Sequence, residues 1–211
     1  MSEINFRKCL LAVLLLLLFS VSGMAQNSTR IVMLHVEEKP ISLGESQIEQ
    51  TLIRVLSRNV NLRVFSTKNN KGLLPPLPAD FSNTDSLADW CAESGCRYLL
   101  SIRIYDERIV RKKGFHFPLL FHKYQSEGII EAEVRLFDAS RNRFIIAESV
   151  ETKEKGPRIF QATMDDDIND PDLHLTTPEK IRFISSLENK FCREVYEKLE
   201  KSIPTRNGYS R

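Results

Sequence analysis

Between Ile130 and Leu136, in the run IIEAEVRLFD (Ile129 to Asp138), apolar and charged residues alternate without a break. Ile130, Ala132, Val134 and Leu136 fall on one side of an extended chain, and Glu131, Glu133 and Arg135 on the other. Successive side chains of a strand point to opposite faces, so this run needs one face in a core and one in water. A helix would scatter the same residues around its circumference. The chain must therefore build a sheet, and something apolar has to cover its dry face. CRYLLSIRIYDERIVRK (Cys96 to Lys112) repeats the pattern, with Tyr98, Leu100, Ile102 and Ile104 opposed to Ser101 and Arg103. After the turn ASRN, RFIIAESVE (Arg143 to Glu151) returns as the third strand of a meander.

Helices supply the cover. RIVMLHV (Arg30 to Val36) is a continuous apolar run, as expected of a buried strand. A helix is expected from about Leu43 to Asn59, opened by the capping-box pair Ser42 and Glu45, with Ile48, Leu52, Val55 and Leu56 on one face. NLRVFS (Asn61 to Ser66) is a second strand, and Thr84 or Asp85 caps a short helix, Ser86 to Ser94, closed by Gly95. Between them LLPPLP (Leu73 to Pro78) lacks the backbone donors of a regular element. It reads as a connector whose leucines cap the core edge, in preference to a proline-rich recognition segment. Thr176, Pro178 and Glu179 open a last helix whose stripe is Ile181, Ile184, Leu187, Phe191, Val195 and Leu199. The order β-α-β-α-β-β-β-α implies an α/β two-layer sandwich with a mixed sheet and helices on one face, in a single domain over 26–203. Residues 204–211 are a polar C-terminal tail.

The 211 residues carry a net charge of +2, so there is no strongly basic face and no argument for a nucleic-acid partner. Arg7 and Lys8 precede an apolar run from Cys9 to Phe19, and Gly23-Met24-Ala25 follows. That is the layout of an export signal cut after Ala25, making 1–25 a cleaved signal peptide. The apolar run is 11 residues long, against roughly 20 needed to span a bilayer. Cys9 lies inside that run and not at the cleavage point, which argues against lipid attachment. The mature protein is expected to be soluble and periplasmic or otherwise exported.

RIVMLHV, the first helix and above all LADWCAESGCRYLLSIRI (Leu87 to Ile104) resemble a group of envelope proteins with a helix, a small residue, a glycine and then a long strand. The hairpin EVRLFDASRNRFIIAES fits the same pattern. The group includes the N-terminal domain of TolB, the curli-secretion lipoprotein CsgG and lipoprotein activators of penicillin-binding proteins. The resemblance covers about Arg30 to Ile203 and implies a non-catalytic module working by protein–protein contact in the cell envelope. Asn142 stands where the hairpin turn usually carries glycine, a substitution that positive φ tolerates. Several relatives have a lipid-attachment cysteine that this chain lacks, so the resemblance does not carry anchoring over.

Candidate chemistry is sparse. Cys91 and Cys96 form C-x4-C and read either as a disulfide of an oxidising compartment or, with Cys192, as small buried hydrophobes. His35 sits in a buried-looking strand, and His116 and His122 form an H-x5-H without a third ligand. No cofactor motif is present. Asp165, Asp167 and Asn169 imitate the first ligands of a calcium loop, but Asp170 and Thr176 stand where glycine and glutamate belong, so an acidic connector is the better reading. The enzyme alternative is a small periplasmic enzyme of unknown reaction, its site built for instance from His35, Asp138 and Glu148. The richest segment is RKKGFHFPLLFHKYQSEG, read as a loop over 111–126. Arg111, Lys112 and Lys113 adjoin Phe115, Phe117, Leu119, Leu120 and Phe121, each of which is worth roughly 2 kcal/mol on burial. They are expected to meet the protein's own core, another envelope protein, or a membrane surface. Protein contact is the functional reading, with peripheral membrane contact or a calcium-responsive accessory role as the alternatives.

Overall fold

The computed structural model describes residues 30–37, 46–117, 121–161 and 175–203. The signal segment 1–25, the Ser42 and Glu45 pair, Leu119 and Leu120, the acidic run with Asp165, Asp167 and Asn169, and the tail 204–211 lie outside them. The elements are β1 (Arg30–Glu37), α1 (Ile48–Leu56), β2 (Leu62–Ser66), α2 (Thr84–Ser94), β3 (Tyr98–Phe117), β4 (Phe121–Asp138), β5 (Arg143–Gln161) and α3 (Thr177–Ser202). They form the expected mixed sheet, in the order β2-β1-β3-β4-β5. β2, β1 and β3 run parallel, and β3, β4 and β5 antiparallel.

Strand order decides where the helices go. From β1 to β2 the chain steps one way across the sheet, and from β2 to β3 it steps back past β1. Right-handed crossovers then place α1 and α2 on opposite faces. Ile48, Leu52 and Leu56 of α1 accordingly join Leu34, Leu100 and Ile130, together with Leu187, Phe191 and Val195 of α3. Leu87, Trp90 and Cys91 of α2 join Met33, Leu99 and Phe137, the neighbouring positions that face the other way. The two amphipathic helices α1 and α3 share one face, as expected, and α2 covers one end of the other.

Local chemistry sets the element ends. Asn83, one residue before the expected caps, accepts from Asp85 N and Ser86 N and opens α2. Gly95 closes it at φ 67°, with Cys96 N donating to the Cys91 carbonyl. The two cysteines thereby meet across the helix end. Both are free thiols and buried, and the neighbouring sulfur together with burial holds the Cys96 thiol far above the usual range. Asn142 adopts φ 48° in the β4–β5 turn, and Thr176 and Glu179 form their capping box. α1 begins later than expected, at Ile48 after a non-helical Gln47. The Gln47 N–H donates to the buried Glu188 carboxylate of α3. A negative group at a helix start satisfies an orphan donor and complements the dipole.

Tyr98 lies fully buried in the main core, and among the described residues its hydroxyl finds no hydrogen-bond partner. An unmade buried hydrogen bond is a cost that removing the group relieves. Tyr98→Phe is therefore expected to hold or raise the melting temperature. A loss of more than about 1 kcal/mol in a denaturant titration would show that the hydroxyl has a partner.

Candidate functional site

The segment read as a loop over 111–126 is strand on both sides, which corrects that expectation. β3 stays paired to β4 as far as Phe117↔Phe121, with His116 opposite His122 and Lys113 opposite Tyr124. Two irregularities, after Ile104 and after Lys113, break the alternation that would have marked the strand in the sequence. β5 likewise continues past Glu151 to pair Gln161 with His122. Arg111, Lys112, Lys113, Phe115, Phe117 and Phe121 thus lie on the last turns of a three-stranded ribbon, whose main chain continues the sheet and does not fold back over it.

Among the described residues, helical cover stops short of this end. In α3, Phe183 is the first buried side chain, and the exposed Ile181 precedes it. Phe183 rests over Gly128 of β4 and Gly156 of β5, where an added methyl group would come within 3.3 Å and 3.2 Å of its ring. From the pair Ile109↔Gly128 to Phe117↔Phe121 the ribbon runs on for about 27 Å at the usual strand rise. Among the described residues β1 pairs with β3 only as far as Arg103, so the β3 edge beyond it is open there. An open edge offers unpaired backbone donors and acceptors to another chain.

A cavity of about 630 Å³ opens at the C-terminal end of β1. Its walls include His35 from β1, Lys68 and Lys71 after β2, Leu74 and Leu77 from LLPPLP, and Trp90 from α2. The proline-rich connector caps the core edge: Leu74 and Leu77 pack on the second core, and Pro75 accepts a 3.1 Å hydrogen bond from Trp90 Nε1. His35 Nδ1 lies 3.0 Å from Thr67 Oγ1, and its ring stacks on Phe81. Burial lowers the His35 pKa, so the ring is neutral near pH 7. Sequence reasoning missed this cavity, which arises where the crossover direction reverses, the usual place for ligands in open α/β sheets.

The residues named for an enzyme are not brought together. His35 meets Thr67, Asp138 accepts from Ser140 N and Oγ at 3.0 and 2.6 Å, and Glu148 pairs with Lys198 of α3 at 2.9 Å. Among the described residues no three His, Cys, Asp or Glu side chains form a metal-holding group. Nor, among them, is any helix long and apolar enough to cross a membrane.

No family model matches the chain. No curated protein matches it either. Among solved structures it is similar to a hypothetical protein from Chlamydia trachomatis, with 11% identity and TM-score 0.48 over 82% of this chain and 97% of that one. A lipoprotein from Neisseria meningitidis gives 13% identity and TM-score 0.41, covering 82% and 99% of the two chains. TolB from Acinetobacter baumannii gives 12% identity and TM-score 0.34, over 58% of this chain and 23% of that one. Likenesses at these identities and scores leave the family of the chain open.

Proposed function

We propose that this chain is an exported, non-catalytic envelope protein that acts by binding another protein through the far end of its β3–β4–β5 ribbon. The observation that carries this reading is the mismatch between strands and cover. Three strands run beyond Phe183, the first buried residue of α3, and the stretch they carry there is the most apolar and basic of the mature sequence. Sheet that extends past its own helices gains nothing for the core it leaves. Aromatic anchors ringed by cations are the composition of a contact surface, and an open strand edge adds a backbone docking mode. Export rests on the N-terminal signal pattern of residues 1–25.

Site-specific photo-crosslinking from Phe117 and Phe121 in the native host tests the reading, with Arg63 on exposed β2 as the reference position. A discrete band containing a second protein, from the ribbon positions and not from Arg63, is the expected result. Crosslinks confined to the protein's own chain would overturn it.

A further inference from the structure

The cavity beside His35 has an unequal distribution of polar groups. Its acids are engaged: Glu37 accepts from Arg103 at 2.7 Å, and Glu49, just behind Lys68, pairs with it at 3.3 Å and also accepts from the Ser66 hydroxyl. Lys71 lines the cavity, is exposed, and has no ion partner among the described residues. The hydroxyl of Thr67, a buried residue, meets His35 Nδ1 at 3.0 Å, and when that hydroxyl donates, the ring proton sits on Nε2. What the wall offers a ligand is therefore chiefly the Lys71 ammonium, with the His35 ring and the Glu49-paired Lys68 beside it. The rest of the wall is apolar, from Leu74, Leu77 and Trp90. The volume falls within the range of small-molecule sites, which combine mostly apolar walls with a few convergent polar groups.

We propose that this cavity binds a small amphipathic carboxylate, its anionic head at His35 and Lys71 and its apolar tail along Trp90 and the two leucines. A cationic head would face the Lys68 and Lys71 ammonium groups, and the one lining carboxylate among the described residues, Glu37, is already paired with Arg103. A wholly apolar ligand would make no use of the Lys71 charge at the cavity mouth. This site is separate from the ribbon end, so each of the two readings stands or falls alone.

Trp90 is the only tryptophan of the chain and lies in the cavity wall, so its fluorescence reads occupancy without a label. The full-length mature protein is titrated with decanoate, and in parallel with decyltrimethylammonium, both below their micelle concentrations, following Trp90 emission and calorimetric heat. Saturable binding of decanoate alone is expected. Lys71→Glu, an exposed change that leaves the core untouched, should weaken it about tenfold or more, the scale of reversing one close charge. Lys155→Glu, on exposed β5, should leave it unchanged. Absence of saturable decanoate binding, an equal response to the cationic amphiphile, or equal affinity of the Lys71→Glu protein and the parent would each overturn the proposal.

Discussion

Phe191→Ala should cost about 3–5 kcal/mol and lower the melting temperature by roughly 10 °C or more. Phe191 is fully buried in the middle of α3, in the cluster that joins α1, α3 and the sheet. Its neighbours along the helix are equally committed: Leu187 and Val195 on the same stripe, Cys192 against the Ile48 carbonyl of α1, and Glu188 against the Gln47 N–H. Polar contacts from Glu188 and Cys192, on either side of Phe191, tie α3 to the start of α1, which resists the helices sliding together to fill the space a removed ring would leave. The cost should therefore lie at the upper part of the range, where a cavity term adds to the lost transfer energy. Denaturant titration with an unchanged m-value checks it. A loss under about 1.5 kcal/mol would mean that the helix pair does collapse onto the gap.

The sequence disclosed this core wherever one face of an element is wet. Ile130, Ala132, Val134 and Leu136 are all buried, with the partly exposed Glu131, Glu133 and Arg135 between them, as their alternation required. Three caps were equally legible, because Gly95, Asn142 and the Thr176–Glu179 box act through local geometry, whereas the starts of α1 and α2 fell elsewhere than their spacing suggested. What escaped depended on partners distant in the chain. Ile181 was placed in the α3 stripe by spacing alone, yet it is 51% exposed while Phe183 is buried. The reason is a hollow made by Gly128 and Gly156 on two adjacent strands, which no period within the helix can reveal. The 111–126 segment was hidden differently. Register irregularities at Ile104 and Lys113 disrupt the period of two, so a paired ribbon reads as a loop. The residues of the proposed contact were named from composition, but not the ribbon that carries them. The His35 cavity exists only because β2 and β3 flank β1, an order fixed by crossover geometry and not by any short stretch of sequence.

That hollow supplies the second large effect. A Cβ on Gly128 would sit 2.8 Å from Leu187 Cδ2 and 3.3 Å from the Phe183 ring, both among buried residues of α3. The Gly128 backbone is ordinary strand, so substitution there is a question of space and not of φ. Gly128→Val adds three carbons where the first already collides. Overpacking of this kind costs about 1–3 kcal/mol, and the upper figure applies because strand and helix are each pinned elsewhere: β4 by pairing on both edges, α3 by Phe191 and Glu188. Leu187→Ala alone should also destabilise, by about 2–5 kcal/mol. Combined, the two changes should cost less than their sum by about 1 kcal/mol or more, since each makes room for the other. Additive losses in that double-mutant cycle would show that the helix lifts away from the ribbon before the side chains touch. Hydrogen exchange then separates the consequences. If α3 is what holds the base of the ribbon, Gly128→Val should speed exchange from Glu127 to Ile130 and from Lys153 to Gly156 while leaving the parallel strands β1 and β2 protected.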